Sequence, residues 1–251
     1  MVRQRSADFV PRMLQAAARV FARHGLKGTR MADIAREMGV AHGSLYNYVE
    51  SKEALFLLLV EQWGRTDVDL KDRELPLRTP PMESIVRQLR QRVTETFPLP
   101  VLDAALRRRR PADPRAELEA VVHELFVQTE ASREGATILE RSARDVPELF
   151  GLFFEQVRRT LFERMTRYVA MRIQDGQFEA AEPRTAARFI IESVTFFARH
   201  RFLDPDPQNL DDEVVRKTIV VLVTRSLART ASTTSHSRSR PTKRNPTTRR
   251  P

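Results

Sequence analysis

Apolar positions along the first sixty residues fall at helical spacing, interrupted by glycine. Phe9, Met13, Ala16, Ala17, Val20 and Phe21 share one helix face, with Arg12, Arg19 and Arg23 turned away from it. Gly25 is placed to end that helix. Thr29 is an expected N-cap for a short second helix, whose inward face is Met31, Ile34, Ala35 and Met38. Gly39 closes it at once, and His42 to Tyr48 forms a third short amphipathic piece anchored by Leu45 and Val49. A further helix starts at Ser51 and runs through Leu55, Leu58 and Leu59 towards Asp69.

Beyond residue 57 the helical period continues. It predicts helices over Met82–Phe97, Val101–Arg108, Pro114–Arg133, Ala136–Arg144, Pro147–Asp175, Pro183–Leu203 and Asp211–Arg229. Prolines 76, 80, 81, 98, 100, 111 and 114 break the intervals, Gly176 caps the long helix, and Asp204 to Asn209 reads as a turn. No segment alternates long enough to be a strand. The expected fold class is therefore all-α, a small N-terminal three-helix domain joined to a larger helical domain. The expected boundaries are 1–56, 57–229 and a basic, Ser/Thr/Pro-rich tail over 230–251 that cannot bury enough surface to fold alone.

Composition narrows the chemistry. With no cysteine, disulfides and thiolate metal sites are excluded, and a reducing cytoplasm suits the chain. No run of 18 apolar residues occurs and no apolar stretch follows the basic N-terminus, so neither a membrane span nor Sec export is expected. The net charge of +10 is carried by the ends: residues 1–56 contribute +4, 57–230 contribute 0 and 231–251 contribute +6. Basic segments are the electrostatic footprint of proteins that approach phosphate, although short basic tails are also commonly just solubilising. Histidines 24, 123, 200 and 236 lack metal-ligand spacing, and neither a phosphate loop nor a nucleophile elbow is present. No cofactor, no metal and no enzymatic activity are expected. Arg107 to Arg110 read as a solvated run favourable to a helix C-terminus, and Asp211, Asp212 and Glu213 suit a helix N-terminus.

Two short helices joined by a tight glycine turn are the geometry of a helix-turn-helix, in which the second helix enters the major groove. The run from Thr29 to Leu55 resembles the signature of the TetR/AcrR family. The matching features are Asp33-Ile34-Ala35, Gly39-Val40, Gly43-Ser44, Leu45-Tyr46 and Ser51-Lys52-Glu53-Ala54-Leu55. Ala41 departs from the usual capping Ser or Thr, and Val49 from the usual aromatic. The resemblance implies a phosphate contact from Thr29 and base-edge contacts from His42, Gly43, Ser44 and Asn47. It further implies sugar–phosphate contacts from Tyr46 and Tyr48 and a phosphate clamp from Lys52. Both tyrosines also suit the small domain's core, and His42 also suits a helix cap.

The same resemblance implies a homodimer on an inverted-repeat operator, with a small-molecule effector in the larger domain. Phe189, Ile190, Val194 and Phe197, with Val215, Ile219, Leu222 and Val223, form stripes suited to dimerisation or to one internal core face. Trp63, Phe97, Phe126, Phe150, Phe154 and Phe196 are the candidate lining of an apolar or amphipathic effector site, or plain core. His123, Glu124, Glu130 and Glu140 lie either near that site or on the surface. The whole reads as a ligand-responsive transcriptional regulator, with repression expected and activation left open by the sequence; the rivals are a sequence-indifferent DNA protein and a sensor acting through protein partners.

Overall fold

The computed structural model describes residues 8–63, 70, 73–206 and 209–229; the basic tail lies outside the described residues. It is all-α, with no strand among the described residues and only two isolated bridges, Val49 with Leu77 and Phe178 with Ala228. The helices are α1 (Phe9–Gly28), α2 (Met31–Met38), α3 (Lys52–Gln62), α4 (Met82–Thr96), α5 (Pro100–Arg107) and α6 (Pro114–Ala131). They continue with α7 (Arg133–Ala143), α8 (Pro147–Phe150), α9 (Arg159–Gln174), α10 (Pro183–Ala198) and α11 (Asp212–Leu227). A 3-10 helix, His42–Asn47, sits between α2 and α3, and another, His200–Leu203, follows α10.

Elements expected from periodicity and breakers agree with these to within a few residues. Differences in length fall at α3, which ends at Gln62 where a helix towards Asp69 is expected (residues 64–69 lie outside the described residues), and at α10, which ends at Ala198 where a helix to Leu203 is expected. Ser51 caps α3 by accepting from the Ala54 N–H at 3.1 Å, and Asp113 and Asp211 cap α6 and α11 in the same way. Glu124 accepts the Val101 and Leu102 N–H groups at 2.7 and 3.0 Å, so it caps α5 from α6.

One correction falls at a helix end. The N-cap of α2 is Arg30, whose N–H is received by Asp33 at 3.2 Å. Thr29 instead turns its hydroxyl back to the Gly25 carbonyl at 2.7 Å; the regular helix breaks at Gly25, as expected, and a short further turn carries the chain to Gly28. Gly25 has φ 67°, and a Cβ there would stand 3.0 Å from the Arg141 carbonyl. Glycine is needed for both reasons: the backbone angle and the close approach of α7.

Buried side chains form two cores. The first joins Met13, Phe21, Ile34, Leu45 and Leu55 of the small domain to Ile85 of α4, Ile138 and Leu139 of α7, and Leu152. The second lies at the far end and combines α5, α6, α9, α10 and α11 around Phe126, Tyr168, Ile190, Val194 and Val223. The first core thus runs through the boundary expected near residue 56. The small domain is continuous with α4 and α7, and its largest helix–helix contact is α1 on α7.

Candidate nucleic-acid interface and ligand cavity

The reading element is built from one anchor and a row of outward groups. Leu45 is fully buried and Val49 closes the other end of the turn, fixing the short helix against α2 and α3. Around that anchor His42, Gly43, Tyr46 and Asn47 are exposed and Ser44 is half-buried. Gly39, at φ 68° and ψ 36°, is the left-handed cap of α2, donating to the Ala35 and Arg36 carbonyls and setting the element at its angle. The element is a six-residue 3-10 helix, tighter and longer than most of its kind. His42 and Tyr46 meet edge to face, with centroids 5.2 Å apart. None of the His42, Ser44, Tyr46 or Asn47 side chains hydrogen-bonds another described residue.

The expected phosphate groups are placed differently. Thr29 is 1% exposed and its hydroxyl is committed to Gly25, so it braces the turn and cannot reach a phosphate without breaking that bond. Lys52 gives Nζ to the carbonyls of Lys27 and Thr29 at 3.0 and 3.1 Å, tying the α1–α2 turn to α3. Tyr48 stacks on Phe9 at 4.7 Å and is half-buried, a packing role. Glu37 receives Arg23 and Arg19, which hold its carboxyl below the usual range and lock α1 to α2. Arg30 and Arg36 remain exposed at the two ends of α2.

A contact not legible in the sequence braces the reading element from behind. Leu77 donates its N–H to the Tyr48 carbonyl at 2.8 Å and accepts from Glu50 N–H at 2.9 Å, and Thr79 N–H reaches the Glu50 carboxylate at 2.9 Å. A second seam joins α1 to α7: Leu26 N–H donates to Ser142 Oγ at 3.0 Å, and Arg141 Nε donates to the Arg23 carbonyl at 3.2 Å. Both are long-range pairings of residues with no distinctive local pattern.

Behind this seam lies a cavity of about 630 Å³. Leu14, Gln15 and Ala18 of α1, and Leu59, Gln62 and Trp63 at the end of α3, form its wall on the reading-head side. Phe97, Phe153, Val157, Ile191 and Arg199 are among the groups that close the other side. A second cavity of about 480 Å³ adjoins it, sharing Val93, Phe97, Val157 and Leu161.

Of the six expected lining residues, Trp63 and Phe97 stand in the wall. Phe126 is buried in the far core, Phe154 packs on the first core, and Phe150 and Phe196 are exposed on the surface. The stripe Phe150, Phe153, Phe154, Val157, Leu161 and Met165, expected on one long helix, is divided: a π-helical segment, Gly151–Arg158, lies between α8 and α9, and Phe153, Val157 and Leu161 line the cavity while Phe150 and Phe154 do not. The cavity faces of α1 and Arg199 were not anticipated; they depend on tertiary packing that no local period encodes.

The stripes on α10 and α11 divide similarly. Ile190, Val194, Val215, Ile219 and Val223 are buried inside the chain and so cannot form an outward face, while Phe197 is half-buried. Phe189 and Leu222 point outward, joined by Phe196, Val214 and Val221. Each helix therefore has an inner core face and a separate outer apolar face.

Residues 13–59 match the family model described as bacterial regulatory proteins, tetR family. Two curated relatives match over the same kind of short stretch. One is an HTH-type transcriptional repressor, KstR2, of Mycolicibacterium smegmatis, 49% identical over 17% of this chain and 21% of that protein. The other is an uncharacterized HTH-type transcriptional regulator, YerO, of Bacillus subtilis, 34% identical over 31% of this chain and 28% of that one. The alignments thus span about a quarter of the relatives' length. Over the whole fold, the ketosteroid transcriptional regulator KstR2 of Mycobacterium tuberculosis superimposes with a TM-score of 0.56 at 18% identity, covering 88% of this chain and 95% of that one.

Proposed function

We propose that this chain is a tetR-family regulator of transcription that binds DNA sequence-specifically and acts as a ligand-responsive repressor in the cytoplasm, a reading supported by the family match over residues 13–59. The observation that carries the reading is the outward row His42, Gly43, Ser44, Tyr46 and Asn47, which is held on the buried Leu45 and Val49 and whose polar side chains form no hydrogen bond among the described residues. Such groups suit base edges and backbone oxygens of the major groove. A Cβ at Gly43 would meet nothing within 4 Å, and its φ is not positive, so the fold does not require glycine there. Close approach of a DNA surface does.

Tyr46 and the exposed Arg30 and Arg36 supply the phosphate side of the interface, joined by the one Lys52 ammonium hydrogen that the Lys27 and Thr29 carbonyls do not take. Two copies pair through the outer face of α10 and α11, where Phe189, Phe196, Val221 and Leu222 are exposed, and the operator is an inverted repeat. The effector is an apolar or amphipathic molecule in the 630 Å³ cavity, whose wall includes the first helix of the reading head and the end of α3. By linkage, effector and operator weaken each other's binding by the same factor.

Fluorescence anisotropy with DNA flanking the protein's own gene, at physiological salt and with excess unrelated DNA, tests this reading. Saturable binding of two protomers per inverted repeat is expected. Binding that unrelated DNA abolishes would favour a sequence-indifferent DNA protein instead.

A further inference from the structure

Arg199 lies in the break between α10 and the 3-10 helix His200–Leu203, and it is only 6% exposed. Its Nη2 donates to Glu140 at 2.6 Å and stands 2.8 Å from His200 Nε2, while its Nε is buried without a partner. The same side chain stands in the wall of the 630 Å³ cavity, beside Arg158, whose Nη2 is held by Glu192. Trp63 Nε1 and Gln62 Oε1, on the head side of that wall, are also buried without partners. The remaining lining is mostly apolar, and its one carboxylate, Glu134, is exposed.

A buried guanidinium with an unused N–H is costly unless something receives it, and a carboxylate is the acceptor that fits a planar fork best. We propose that the effector is an apolar carboxylic acid bound as its anion. Its carboxylate meets Arg199, with Arg158 alongside, and its hydrocarbon body lies against Leu14, Leu59, Trp63 and Phe97. This rests on the ligand-responsive reading above and specifies the chemistry of its site.

The placement also gives the anion a route to the head. Glu140, the present partner of Arg199, is on α7, two residues before the Ser142 that receives Leu26 N–H and one before the Arg141 carbonyl that faces Gly25. A carboxylate sharing Arg199 weakens its hold on Glu140, and with it the restraint on the helix against which α1 is packed.

Trp63 is the chain's single tryptophan, so its fluorescence reports the cavity directly. The experiment titrates the full chain with saturated carboxylates of eight to fourteen carbons and with the matching primary alcohols. DNA anisotropy is followed in parallel. The carboxylates are expected to bind at least about tenfold more tightly than the alcohols, as a charge-assisted hydrogen bond predicts. That preference is expected to collapse in Arg199→Gln and to shrink in Arg158→Gln, the second variant serving if the first does not fold by circular dichroism. Equal binding of acid and alcohol, an unchanged preference in whichever variants fold, or no Trp63 response to any chain length would overturn the proposal. Tight carboxylate binding with unaltered DNA affinity would support the ligand class while removing the ligand-responsive reading.

Discussion

The reading element and the far core use polar groups in opposite ways. At the far core, Arg172 is fully buried and every part of its guanidinium is engaged. It pairs with Glu117 at 2.8 Å and donates to the carbonyls of Ala105, Arg108 and Arg109, closing the end of α5. Burial pushes the neighbouring Tyr168 hydroxyl far above its usual pKa, so it stays neutral. In the reading element, the polar groups stand outward around the buried Leu45 and Val49 and have no described hydrogen-bond partner. The guanidinium of Arg172 is consumed by the fold, while the polar groups of the reading element are kept available. That difference separates a structural site from an interface more sharply than charge alone does.

The largest expected effect is at the structural end of this comparison. Arg172→Met leaves buried Glu117 with only the exposed Arg108, 3.7 Å away, which costs about 3 kcal/mol, the lower end for breaking a buried pair. Urea denaturation should show a large fall in midpoint, and a change under about 1 kcal/mol would mean that the ion pair is dispensable.

Next comes Glu140. His200 at 3.5 Å, together with Arg199 and Arg144, holds its carboxyl at about 2 against the opposing effect of burial, from an ordinary value of 4.5. A carboxylate depressed on folding stabilises the protein fully above its unfolded pKa and loses that contribution as pH falls through the folded value. The expected loss is about 2–3 kcal/mol between roughly pH 5 and 2. Glu140→Gln should flatten that part of the stability–pH curve; an unaltered slope would assign the acid sensitivity to other carboxylates.

Smaller again is the α1–α7 seam. Ser142→Ala removes the acceptor of the buried Leu26 N–H and should cost about 1–3 kcal/mol. If the seam carries the signal to the head, the variant should also change the factor by which a bound carboxylate weakens DNA binding. Gly135→Ala tests the cavity wall, since a Cβ there would stand 3.0 Å from the Trp63 indole. A shifted Trp63 emission maximum is expected, and an unchanged spectrum would mean that α7 gives way instead.

Much of the architecture was legible because helical period, proline and capping residues act locally. Met82–Thr96 and Asp212–Leu227 begin and end within two residues of where those signals put them. Gly39 was readable for the same reason. What was hidden depends on distant partners or altered period. A π segment divides the helix expected over 147–175, the hydroxyl of Thr29 turns to Gly25, and the backbone pairing of Leu77 with Tyr48 joins residues far apart in sequence. Arg199 was silent because it sits in a break between helices, where no stripe marks an inward side chain. On α10 and α11 the apolar stripes are broad enough for an internal and an external contact, but the period alone does not say which residue belongs to which face.

Gly43→Ala tests the central claim most directly, with DNA anisotropy and urea denaturation run on the same preparations. With space for the added methyl and no positive φ, stability should hold or rise by up to about 1 kcal/mol, while DNA affinity falls by about tenfold or more. Unchanged DNA affinity in the stable variant would contradict the account, because the outward row would then not be the surface that meets DNA.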